Sequence, residues 1–196
     1  MEHSKLTDEV GQALHQWSLV EMEVANLFEV TSGMPNHNAA HAAMAAIVSF
    51  EARLKVCHSV LAFFELGTLH ATYWQRLYHR LLKKLKKRNE LAHFSVLCIG
   101  SPGDETWRLV PYFSIGRWVL DQHTTGKPQQ GLSVEQIRER ALSFHQLMKD
   151  VVWFRYEMQV RLGTLSGNPL PAPDLALQLR AEGVQTREDG PRQPQS

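Results

Sequence analysis

The stretch ATYWQRLYHRLLKKLKKRNELAH, residues 71–93, decides the fold. Its apolar residues Trp74, Leu77, Tyr78, Leu81, Leu85 and Ala92 recur at three-, four- and seven-residue steps, which is the period of one helix face. The other side is basic. Arg76, Arg80, Lys83, Lys84, Lys86, Lys87 and Arg88 follow one another with no Asp or Glu among them, so in a chain of net charge +1 the remaining residues sum to −6. The pattern predicts a strongly polarised helix over about residues 71–93, with the positive charge of the chain concentrated on it.

Working outward toward the N-terminus, Val10, Leu14, Trp17, Val20, Val24, Leu27 and Phe28 predict a first helix from Thr7 to about Val30, with Thr7 as its N-cap. The Gly and Pro of residues 31–36 stop it. A second helix is expected from about Asn38 to Leu66, Ala-rich at first and then carrying the stripe Ile47, Phe50, Leu54, Cys57, Leu61 and Phe64. Toward the C-terminus the period changes after His93. Val96 to Ile99, a Gly-Ser-Pro-Gly-Asp turn and the alternating Trp107, Leu109 and Phe113 predict a β-hairpin over about residues 95–118. A polar loop, residues 121–131, leads to Ser133 and Gln136, spaced as a capping box, and to a last long helix from Val134 to about Leu165. The expected fold class is therefore all-α: an up-and-down four-helix bundle over residues 1–168, with a β-hairpin inserted before the last long helix. Residues 169–196, rich in Pro, Gln, Gly and charge, are expected to be a mobile tail with one short helical turn around Asp174 to Leu179.

Composition narrows the setting. No apolar run approaches the roughly 18 residues that span a bilayer, and the N-terminus passes straight into an amphipathic stretch without a signal region, so a cytoplasmic address and no membrane partner are expected. Cys57 and Cys98 fit neither a disulfide framework nor a zinc ligand set and are read as reduced thiols.

The chemistry concentrates at Arg88-Asn89-Glu90-Leu91-Ala92-His93. At about 100° per residue, Asn89 and His93 share a helix face, whereas Arg88 and His93 stand roughly 140° apart. Either the helix loosens near Ala92, or a second copy of the chain brings its own Arg88 and His93 across an interface. Arg88 also extends the line of Leu77, Leu81 and Leu85, which places its guanidinium at a packed seam where it needs an anionic partner. Imidazole both takes and gives protons near neutrality. A guanidinium presents a fork of donors to phosphate oxygens. With Asn89 holding the imidazole or a ribose hydroxyl, these groups suffice for metal-independent attack of an RNA 2′-hydroxyl on its neighbouring phosphate.

This Arg-Asn-X3-His pattern near the end of a basic third helix resembles the Arg-X4–6-His signature of the HEPN (higher eukaryotes and prokaryotes nucleotide-binding) superfamily. Ser49 to Lys55 is similar to segments that precede the signature in bacterial members, and the resemblance covers about residues 8–160. It implies an HEPN-like bundle, a homodimer whose two signatures face one cleft, and endoribonuclease activity of the kind found in toxin–antitoxin and phage-defence systems, where a cognate antitoxin protein is a partner. Arg88 and His93 would then be catalytic and Asn89 auxiliary. The superfamily also contains non-catalytic members that bind RNA, a nucleotide or a protein. In one toxin branch a Tyr that receives a nucleotide stands two positions after the His. Ser95 occupies that position here, so this regulation is not implied.

Around this segment, Arg76, Arg80, Lys83, Lys84 and Lys87 are candidate RNA-binding residues, and Glu51, Lys55 and His58 are candidates to line the cleft from the second helix. Trp107, Tyr112 and Trp118 can stack on bases, although burial against the helices is the ordinary fate of hairpin aromatics. His37 and His41 are one helical turn apart, but no acidic third ligand stands near them in sequence, so they are read as polar residues at a helix start. No metal or other cofactor is expected.

Overall fold

A computed structural model describes residues 2–99, 106–111, 131–166 and 170–183. These residues form six helices and one pair of strands. In chain order they are α1 (Glu2–Ser32), α2 (His37–Ala45), α3 (Phe50–Leu61), α4 (Thr68–His93), β1 (Phe94–Ile99), β2 (Thr106–Pro111), α5 (Val134–Arg161) and α6 (Asp174–Ala181). The protein is thus mostly helical, with a small antiparallel sheet. None of the described helices is long and apolar enough to cross a membrane.

The chain divides into two compact units: Met1–Leu19 with Lys83–Gln146, and Val20–Leu82 with Leu147–Ser196. In the first unit, Trp17 of α1 meets Phe144 of α5 edge to face at 5.2 Å, and Leu6, Ala13, Leu91 and Ile137 complete a buried apolar layer. Ion pairing and hydrogen bonding hold the rim, with Arg138 on Glu9 at 2.5 Å and His145 meeting Gln16 at 3.0 Å. The hairpin pairs Phe94 with Pro111 through Ile99 with Thr106. Leu132 extends it, exchanging backbone hydrogen bonds of 3.1 and 2.8 Å with Leu109. That close approach requires Gly131, because a Cβ there would lie 2.5 Å from Val110 and 2.8 Å from the Leu109 carbonyl.

The second unit contains an aromatic core. Phe154 of α5 stacks on Tyr73 and Trp74 of α4 at 5.8 and 5.3 Å, and Tyr73 donates its hydroxyl hydrogen to the Asp150 carbonyl at 3.1 Å. Burial beside Asp150 pushes the Tyr73 phenol up, against the opposing influence of Arg80. Leu54, Cys57 and Leu61 of α3 and Leu175, Ala176 and Leu179 of α6 are buried in the same unit.

Several elements depart from the sequence expectations. The helix expected from Asn38 to Leu66 is two helices. The chain turns extended at Ser49, whose side chain accepts from the Ala52 amide, and Arg53 donates to the Ile47 carbonyl at 2.7 Å. That contact satisfies a carbonyl released by the break. On α4 the buried residue near the end is Leu91, while Ala92 is exposed, so the expected apolar side is corrected there. The helical turn expected at Asp174 to Leu179 is the docked helix α6. Residues 112–118 of the expected hairpin, the loop at 121–130 and the tail beyond residue 183 lie outside the described residues.

Candidate functional site

α4 is helical through His93, and this continuity fixes the geometry of the candidate segment. It removes the alternative of a loosened turn near Ala92 and keeps Arg88 and His93 about 140° apart around one helix. His93 is exposed on the last turn, immediately before β1. Asn89 is exposed one turn earlier. Arg88 is half-buried, donating from Nη1 to Asn89 Oδ1 at 3.2 Å. Its Nε is fully buried and has no hydrogen-bond partner among the described residues. An unmatched buried guanidinium N–H is costly, and an oxyanion is the group best able to satisfy it.

A cleft of about 330 Å³ lies within the same unit. Lys84 and Lys87 of α4 line one side; Gln136, Glu139, Arg140 and Ser143 of α5 line the other. The sequence reading did not include the α5 residues, because only tertiary packing brings them to α4. Arg140 is held by Glu90 Oε2 at 2.7 Å and by the Lys87 carbonyl at 3.1 Å, which ties α5 to the last turns of α4. Lys83 is exposed beside this cleft-lining segment of the helix.

The remaining candidates are divided differently. Arg76 and Arg80 belong to the second unit and are engaged there. Arg76 makes a two-pronged pair with Glu182 at 3.1 and 2.5 Å, and Arg80 pairs with Asp150 at 2.7 Å. Glu51, Lys55 and His58 are also in the second unit. Lys55 pairs with Glu51 at 2.8 Å, a contact that raises its ammonium above the ordinary value. His58 accepts from the Trp74 indole at 3.0 Å and stacks on Tyr78 at 4.4 Å. Of the hairpin aromatics, Trp107 is half-buried and meets His3 edge to face at 4.9 Å, while Tyr112 and Trp118 fall outside the described residues.

The first unit therefore carries Arg88 with the adjacent Asn89 amide, an exposed His93 further along α4, and a basic cleft whose lining includes none of these three. The guanidinium and the cleft lysines can meet phosphate oxygens, while within one copy the imidazole stands about 140° around α4 from Arg88. No family model, curated protein or solved structure matches the chain.

Proposed function

We propose that this chain is a homodimeric, HEPN-type, metal-independent endoribonuclease, with Arg88 and His93 at a dimer cleft, acting in a toxin–antitoxin or phage-defence setting. The observation that carries the reading is Arg88, whose buried Nε lacks a partner at the end of the basic helix. A phosphate oxygen of RNA would accept from the terminal N–H groups of this half-buried arginine, and the guanidinium would stabilise charge building on phosphorus.

His93 would take the proton of the 2′-hydroxyl or return one to the departing 5′-oxygen. The O2′–P bond forms as the P–O5′ bond breaks, leaving a 2′,3′-cyclic phosphate and a 5′-hydroxyl. Because one straight helix holds Arg88 and His93 apart, a single phosphate would use Arg88 of one copy and His93 of the other. Lys83, Lys84 and Lys87 would track the neighbouring phosphates. Arg76 and Arg80 drop out of this role, since each already has a carboxylate partner.

A second reading keeps the binding and discards the cleavage: a dimer that holds RNA, a nucleotide or a protein on the same basic surface. It rests on the basic cleft alone, whose lining residues Lys84, Lys87 and Arg140 can bind an anion without any part being played by His93. The two readings separate on incubation of the purified chain with an RNA pool in EDTA. The nuclease produces fragments that disappear in folded Arg88→Ala and His93→Ala variants. The binder gives no fragments and retains salt-sensitive RNA binding in His93→Ala.

A further inference from the structure

We propose that Glu29, His37 and His41 form a binding site for a zinc-like divalent transition-metal ion at the corner between α1 and α2. The sequence places two imidazoles one turn apart but shows no acid close by. The fold supplies it from the last turn of α1, across the turn that contains Gly33.

Glu29 uses both carboxylate oxygens. Oε1 lies 2.7 Å from His37 Nδ1 and Oε2 lies 3.2 Å from His41 Nε2. The two rings are 4.6 Å apart, and the three ligand atoms all lie within 4.8 Å of one another. Tetrahedral zinc, with bonds near 2.0–2.2 Å, sets its ligand atoms about 3.3 Å apart, so modest side-chain rotation converts the observed cluster into a coordination set. Two imidazoles and one carboxylate suit zinc and its neighbours in the first transition row; magnesium and calcium prefer oxygen alone.

The support beneath the ligands is built. Gly33 takes the left-handed conformation at φ 66°, and Asn36 caps α2 through the Asn38 amide at 2.8 Å, which fixes where the histidine-bearing helix starts. Buried Thr31 bonds back to the Leu27 carbonyl at 2.9 Å, anchoring the end of α1 that carries Glu29. Burial pushes the Glu29 carboxyl up, but its contacts with His37 and His41 outweigh that and hold it below the ordinary carboxylate range. It is therefore an anion at neutral pH. His37 is 63% exposed, leaving an open path for the ion and room for a water as fourth ligand. All three ligands belong to the second unit, whereas Arg88 and His93 belong to the first. The site joins α1 to α2 and is independent of the metal-free cleavage proposed above.

The test is a titration of the full chain with zinc chloride against a chromophoric zinc chelator, repeated with Glu29→Gln, His37→Ala and His41→Ala. One equivalent of zinc binds the native chain, and loss of any one ligand weakens it by about tenfold or more. Cobalt(II) in place of zinc gives the visible absorption of a tetrahedral centre, which the three variants lose. Failure of the native chain to compete with the chelator would overturn the proposal, as would equal uptake by all four proteins. If an alanine variant does not fold, the near-isosteric Glu29→Gln decides the matter.

Discussion

Arg80 Nη1 lies 2.7 Å from Asp150 Oδ2, and the two partners differ sharply in exposure, 35% for the arginine side chain and 1% for the aspartate. Removing Arg80 therefore strands a buried carboxylate from this counter-charge, whereas removing Asp150 releases a guanidinium that water can reach. The expected cost of Arg80→Ala is about 3 kcal/mol in urea unfolding, near the lower end for breaking a buried pair. Asp150→Asn should cost less. Lys83→Ala, on the exposed side of the same helix, should stay within about 0.5 kcal/mol.

The lysines at the cleft predict a different signature. Lys84→Ala and Lys87→Ala should weaken binding of a single-stranded RNA oligonucleotide across sequences. Each should also flatten the plot of log affinity against log salt by about 0.7, one phosphate contact apiece. Fluorescence anisotropy at several potassium chloride concentrations measures both. An unchanged slope in the double variant would remove these residues from the binding surface.

How far the sequence foretold these features depends on whether their partners are local. The capping box was legible: the Ser133 amide donates to Gln136 Oε1 at 2.9 Å and the Gln136 amide to Ser133 Oγ at 3.3 Å. α4 was legible because its apolar and basic residues separate around one helix, and the burial of Arg88 Nε follows from its place in the apolar line. The break before α3 was hidden, since Ile47, Phe50 and Leu54 keep helical steps straight across it. Arg140 beside Lys87 is a tertiary meeting that no short window of sequence contains, and Glu29 reaches His37 and His41 only because the chain folds back between α1 and α2.

The two thiols should behave differently. Cys57 is buried, its thiol pushed up to about 12 by that burial, while Cys98 is exposed on β1. A disulfide reagent at neutral pH should titrate one thiol in the native chain and two after denaturation, because only the thiolate reacts. Cys98→Ser should abolish the native reaction.

Acid should loosen α6. The Arg76 hydrogen bond holds the Glu182 carboxyl below its ordinary value of 4.5. A group lowered on folding contributes stability above its unfolded value and loses that contribution as pH falls through the folded one. Protection factors of the α6 amides, taken against intrinsic exchange at each pH, should therefore fall below about pH 4.5 in the native chain, in line with that carboxyl protonating. Glu182→Gln, already lacking the charge, should show low protection that changes little across the same window.

The central claim, a shared site made from two copies, is tested most directly by mixing its halves. Arg88→Ala and His93→Ala proteins, each inactive alone on RNA in EDTA, are denatured together and refolded. A symmetric dimer with Arg88 and His93 contributed by opposite copies regains about a quarter of native cleavage, because half the dimers are mixed and each holds one intact site. If both single variants are inactive while the native chain cleaves, and the mixture recovers nothing, the shared site is contradicted.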